Sequence, residues 1–99
     1  MVFPKYRNGT EAAVQALRDH LANNGAIRLL VKFGIGRPRP YDVVDIRTAE
    51  FREGTEVVAV FQQSSEAYNT DVEMHMTLDQ PMIDSLCRQA GIGREVYHV

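Results

Sequence analysis

A chain of 99 residues forms one domain, and with 44% hydrophobic and 24% charged residues it has the composition of a globular protein, not a disordered one. A single cysteine excludes an internal disulfide, so this is not a stapled secreted scaffold. The net charge of −2 conceals a polarity: residues 1–41 carry seven basic and two acidic side chains, whereas residues 42–99 carry four basic and eleven acidic ones. Such a chain presents faces of opposite sign, unless folding mixes the two halves.

No apolar run approaches the ~20 residues that cross a bilayer, and the basic residues of Met1 to Arg7 precede no apolar stretch of the signal-peptide kind. The expected location is therefore cytoplasmic, with no membrane partner.

In chain order, residues 2–6 (Val2 to Tyr6) read as a short leading strand that Pro4 confines to an edge. The first helix is expected over roughly residues 10–23. Asn8 and Glu11 have capping-box spacing with Thr10 as a rival cap, Val14, Leu17 and Leu21 follow at helical intervals, and Asn23-Asn24-Gly25 supplies the stop. From Ala26 to Phe33 the pattern alternates. Ile27, Leu29, Val31 and Phe33 point one way and Arg28, Leu30 and Lys32 the other, and Leu30 on the second face suggests a central strand. Gly34-Ile35-Gly36-Arg37-Pro38-Arg39-Pro40 reads as irregular, because glycine loosens the chain and proline removes donors and fixes φ.

A second strand is expected from Tyr41 to Arg47, a turn at Arg52-Glu53-Gly54, and a third strand from Glu56 to Phe61. That third strand is apolar throughout and hence central. Gln62 to Thr70 reads as a loop. The stretch from Asp71 to Leu78 alternates Val72, Met74, Met76 and Leu78 with Glu73, His75 and Thr77, the pattern of a half-exposed strand. Asp79 and Pro81 open a second helix with Ile83, Leu86, Cys87 and Ala90 on its apolar stripe, and Gly91 closes it. Cys87 on that stripe reads as a small buried hydrophobe. Glu95 to Val99 reads as a final strand.

The fold class that follows is a single α+β domain over residues 1–99. It has an antiparallel-rich sheet of four to five strands and two helices packed on one face, in the order (β)αββββαβ. A ferredoxin-like arrangement with an extra hairpin is compatible with that order. Gly34-Ile35-Gly36-Arg37 recurs as Gly91-Ile92-Gly93-Arg94, each ahead of a Tyr-x-Val triplet. Four residues are too few for a structural repeat, and shared turn chemistry accounts for them.

The chemistry-bearing signatures point away from catalysis. There is no Walker A loop, nucleophile elbow, HExxH or paired CxxC, and Gly34-x-Gly36 lacks the third glycine and following helix of a dinucleotide fold. His20, His75 and His98 have no metal-ligand spacing, and His20 and His75 read as solvated surface residues. An acid–base pair could be assembled from His75 with Asp42, Asp45, Asp71 or Glu73, but nothing in the sequence brings these groups to one cleft. The expectation is no enzyme, no cofactor and no metal.

The strongest candidate is the basic segment. Arg28, Lys32, Arg37 and Arg39 lie in a stretch with no acid from Leu21 through Tyr41, and Phe33 and Tyr41 flank the loop with rings to stack or pack. Proline on either side of Arg39 lowers the entropy lost when the loop is ordered on a partner. Guanidinium groups suit carboxylates and phosphates. The expected partner is a protein with an acidic surface, and nucleic acid is the second choice. Against nucleic acid stand the pI of 5.9 and the lack of RNP aromatics, a KH loop or a recognition helix. The bland alternative pairs Arg37 and Arg39 with Asp42 or Asp45. A second candidate is the sheet face away from the helices, where Leu30 and part of the Val57–Val60 run would lie beside Arg28, Lys32, Glu73 and His75, an arrangement that also permits a homodimer. The kind of protein this suggests is an interaction or inhibitor protein, such as a phage or mobile-element accessory protein.

Overall fold

The computed structural model describes residues 6–32, 34–65 and 70–97. Its elements are α1 (Thr10–Asn24), β1 (Ile27–Val31), β2 (Arg39–Phe51), β3 (Gly54–Ser65), β4 (Thr70–Thr77), α2 (Gln80–Ala90) and α3 (Arg94–Tyr97). The four strands form one antiparallel sheet in the order β1-β2-β3-β4. α1 packs on β2 and α2 on β1, and the two helices touch each other over the same face. This is the expected α+β architecture. The sheet is a sequential meander, however, not a ferredoxin-like order.

Strand alternation decides what the helices cover. Ile27 pairs with Val43, Val43 with Phe61 and Phe61 with Met74, so one row of apolar side chains crosses all four strands beneath the helices. A second row runs through cross-strand partners on three strands, Ile46 of β2, Ala59 of β3 and Met76 of β4.

 Ala59 thus sits in the middle of that second row, between Ile46 and Met76. Leu17 and Ala13 of α1 and Ile83, Leu86 and Cys87 of α2 close over both rows, each fully buried. Burying side chains of this size is worth roughly 1.5–3 kcal/mol apiece for the larger aliphatics, which is the main source of the fold's stability.

The local signals work largely as the residues dictate. Asp79 caps α2 by accepting from the Met82 amide at 3.0 Å, Pro81 occupies the first turn, and Gly91 ends the helix at φ 72°. α1 stops at Gly25 with φ 85°, as Asn23-Asn24-Gly25 predicts. Its start differs. Gly9 is the N-cap at φ 93° with no side-chain cap, and Thr10 is buried with its hydroxyl donating to the Arg7 carbonyl at 2.6 Å. The backbone before α1 is fixed instead by tertiary bonds. The Tyr6 hydroxyl donates to the Leu78 carbonyl and accepts from the Val57 amide, and the Arg7 guanidinium forks onto both carboxylate oxygens of Asp84 at 3.2 and 3.1 Å.

Five expectations are corrected. β1 is an edge strand of the described sheet, not a central one, and Leu30 is 68% exposed. Arg39 and Pro40 belong to β2. At Pro40 the strand pairs with β1 alone, since its register with β3 begins at Asp42, so the missing proline N–H removes no bond on the β3 side. Gln62 to Ser65 and Thr70 extend the β3–β4 hairpin instead of forming a loop. The stretch from Arg94 to Tyr97 is a short helix, not the start of a strand. Tyr6 lies outside any strand, and the rest of the leading-strand expectation falls outside the described residues, as do His98 and Val99. No helix among the described residues is long and apolar enough to cross a membrane.

A register shift between Val43 and Asp45 inserts Val44 as a bulge. The bulge moves the inward set from odd positions (Tyr41, Val43) to even ones (Ile46), and the Asp45 carboxylate accepts from the Ile46 amide at 2.9 Å to hold the kink.

Candidate binding surface

Because the strands follow one another in space as in sequence, the basic end of the chain becomes one edge of the sheet. β1 carries Arg28 and is followed by Lys32. Arg37 follows in the loop from residue 34 to 38, and Arg39 opens β2 opposite Val31. All four cations are exposed. The far end of the β2–β3 hairpin, by contrast, gathers Glu50, Glu53 and Glu56 with one cation, Arg52.

Of the five nominated residues, the three in strands divide between the two faces of the sheet, while Lys32 and Arg37 lie outside the strands. Arg28 sits on the open face, where its Nε donates to Asp42 Oδ1 at 3.3 Å across the β1–β2 ladder. Both partners are well exposed, so the pair contributes at most about 1 kcal/mol. Arg39 and Tyr41 lie on the helix-covered side, because both alternate with Pro40 and Asp42. Tyr41 is consequently buried, its ring edge-on to Phe61 with centroids 6.2 Å apart and planes at 83°. A stacking platform for a base needs an exposed face, so Tyr41 serves the core and presents only part of itself to the surface.

Arg37 and Arg39 do not pair with Asp42 or Asp45. Asp42 meets Arg28, and Asp45 holds the bulge amide. Among the described residues no carboxylate lies within ion-pair distance of Lys32, Arg37 or Arg39. Between them projects Ile35, fully exposed and flanked by Gly34 at φ 65° and Gly36 at φ 156°. Val31, Ile35, Gly36, Arg37, Arg39 and Tyr41 enclose a cleft of about 210 Å³ at this corner. Ile35 escaped the sequence reading because an isolated apolar residue between glycines has no periodic partner. That lack of a partner was the available signal.

A larger groove of about 500 Å³ runs on the other side of β1. It is lined by Arg28, Leu29, Leu30 and Pro40 from the sheet and by Ser85, Arg88 and Gln89 from α2. Sequence alone could not join these residues, since the joining depends on α2 crossing back from β4 to β1.

The open sheet face is less bare than its aliphatic centre suggests. Arg47 on β2 and His75 on β4 meet above β3, and His75 Nε2 donates to Glu73 Oε1 at 2.8 Å. A guanidinium only donates, so His75 Nδ1 accepts from it. This polar span shields Val58 and Val60, which are buried although no helix covers them. The remaining large apolar exposure on this face lies at Leu30 and the bulged Val44 toward β1, and at Phe51 at the far end of the β2–β3 hairpin. His75 therefore holds a surface bridge, and no described group of three or more His, Cys, Asp or Glu side chains is placed to hold a metal. Cys87 is buried, and burial first, then Asp84, push its thiol up to about 11, with Arg88 opposing. A thiol of that kind is not a nucleophile at neutral pH.

Comparison with family models, curated proteins and solved structures finds no match for this chain.

Proposed function

We propose that this chain is a non-enzymatic binding module that engages an acidic surface of a protein partner through the basic corner of its sheet. The observation that carries this reading is the constellation of Lys32, Arg37 and Arg39, without carboxylate partners among the described residues, around the exposed side chain of Ile35. An apolar tip ringed by cations is the composition of an interface anchor: desolvating the isoleucine supplies affinity, and the guanidinium groups select carboxylates. Pro38 restricts the loop just before Arg39 opens β2, so less entropy is lost on contact.

Phosphates would satisfy the same cations, which makes nucleic acid the second reading. The buried position of Tyr41 weighs against it, because it removes the one stacking ring the segment offered among the described residues, Phe33 lying outside them. The test is fluorescence anisotropy with labelled oligoglutamate and with single- and double-stranded DNA and RNA, at low and physiological salt. Binding to oligoglutamate is expected to fall at least about tenfold in the Arg37→Glu, Arg39→Glu double variant with an unchanged circular dichroism spectrum. Tighter binding to nucleic acid, with a steep salt dependence, would replace the acidic protein by a polyanionic strand.

A further inference from the structure

We infer that the partner's acidic segment binds as an extended strand, added to the free edge of β1 in the groove between β1 and α2. This rests on the acidic-partner reading and gives it a mode and a place.

The geometry supplies each requirement of strand addition. β1 pairs with β2 on one side, and no described strand pairs with it on the other, so half of its backbone donors and acceptors face outward. The edge is neither bulged nor interrupted by proline within Ile27–Val31. Five residues of edge span about 17 Å, enough for a partner segment of similar length. A wall stands beside it: Ser85, Arg88 and Gln89 of α2 border the groove, and Leu30 and Pro40 give it an apolar side. The volume of about 500 Å³ is that of a groove for several side chains rather than a crevice for one.

Charge selects the occupant. The groove lining holds two guanidinium groups, Arg28 and Arg88, and no carboxylate. Arg88 is exposed, with one nitrogen donating to Ser85 Oγ at 2.9 Å. Asp42 meets Arg28 from the neighbouring strand, and Asp84, the nearest acid on α2, is held by Arg7. Beyond the end of β1 the cations continue as Lys32 and Arg39. A second copy of this chain fits poorly, because antiparallel pairing of two β1 strands gathers both Arg28 and both Lys32 side chains onto one ribbon. An added strand alternates its side chains between the α2 wall and the Leu30 side. The matching segment therefore alternates acidic and apolar residues, with its acids toward Arg88 and its apolar residues beside Leu30 on the open face, where Asp42 already meets Arg28.

The experiment uses the full chain, isotopically labelled for NMR, and the capped peptide Glu-Val-Glu-Val-Glu-Val-Glu at low salt. Two further peptides carry N-methyl groups on all glutamates or on all valines, each blocking one backbone edge while keeping every charge. A lysine-for-glutamate peptide is the charge control. Strand addition predicts slowed hydrogen exchange at alternate amides of residues 27–31. It also predicts at least about tenfold loss of affinity for one methylated peptide and not the other, and a similar loss in Arg88→Glu. Shifts confined to residues 32–39, equal for both methylated peptides, would overturn strand addition and leave the acidic-partner reading standing. A peptide that perturbs neither region, or a lysine peptide that binds equally well, would overturn both. Protection of β1 that rises with protein concentration and without peptide would assign the edge to a second copy and overturn the proposal.

Discussion

The sequence Gly-Ile-Gly-Arg occurs twice, and the two copies have opposite fates. Gly34 and Gly91 share the left-handed conformation, at φ 65° and 72°. There the likeness ends. Gly91 follows the last residue of α2, its amide bonds the Arg88 carbonyl at 3.1 Å, and the Ile92 amide bonds the Cys87 carbonyl at 2.9 Å. These two bonds form a Schellman cap, which turns the next side chain back onto the helix. Ile92 accordingly packs against the core, whereas Ile35 follows a strand, has no helix end to satisfy, and projects fully into solvent. The comparison teaches that the recurrence is turn chemistry and not a structural repeat. It also isolates Ile35 as an apolar residue the described core does not use.

The comparison is broken most forcefully at Ile92. Ile92→Asp places a charge in a half-buried site and removes apolar burial, at a cost of roughly 2–3 kcal/mol. For a domain of this size, that lowers Tm by roughly 10–20 °C, measured by thermal unfolding followed by circular dichroism. A shift of a few degrees or less would show that the cap, not the side chain, holds this end of α2.

Cys87, whose carbonyl anchors the Ile92 amide, gives the next largest effect. Its thiol keeps its proton to about pH 11 in the folded chain, against an ordinary value of 9.0. The stabilisation is therefore fully present below pH 9. Above that the unfolded chain releases its proton first, holds fewer protons than the folded one, and stability falls as pH rises toward 11. Two units correspond to about 2–3 kcal/mol lost across that window. Urea unfolding of the wild type and of Cys87→Ala, measured from pH 8 to pH 11, isolates this contribution from the tyrosines and lysines. Parallel curves for the two proteins would show that the thiol ionises as readily folded as unfolded.

What the sequence made legible, and what it hid, follows the same division between local and tertiary causes. The start of α2 near Asp79 and its end at Gly91 could be read because Asp79, Pro81 and Gly91 act on their own neighbours. β3 could be called central because Val57 to Phe61 is apolar on both faces, whatever the partner strands are. The edge position of β1 was hidden, because Leu30 looks the same whether a strand lies beside it or solvent does. Pro40 reads as loop from sequence, because the early end of the β2–β3 register, which makes it tolerable in a strand, is a property of the pair. The polar residues from Gln62 to Ser65 pair into a hairpin arm that carries no burial signal. At the candidate site the cations were plain from composition, but Tyr41 was misjudged as a surface ring because its inward direction depends on which face the helices cover. The α2 wall of the groove was invisible for the same reason.

The smallest expected effect on stability is the sharpest test of the comparison. Ile35→Asp changes a side chain with no described neighbour to lose, on a loop between two glycines at positive φ. Stability should change by less than about 0.5 kcal/mol, hence Tm by no more than a few degrees, against the large loss at Ile92 from the same substitution. Affinity for oligoglutamate should nevertheless fall, because the substitution removes the apolar anchor and sets a carboxylate among Lys32, Arg37 and Arg39. A variant with an unshifted Tm and weakened binding separates the two isoleucines by purpose: one is retained by the fold and the other by what the fold presents. A variant as destabilised as Ile92→Asp would mean that Ile35 packs against the protein in solution, and the basic corner would then lose the apolar tip on which its reading depends.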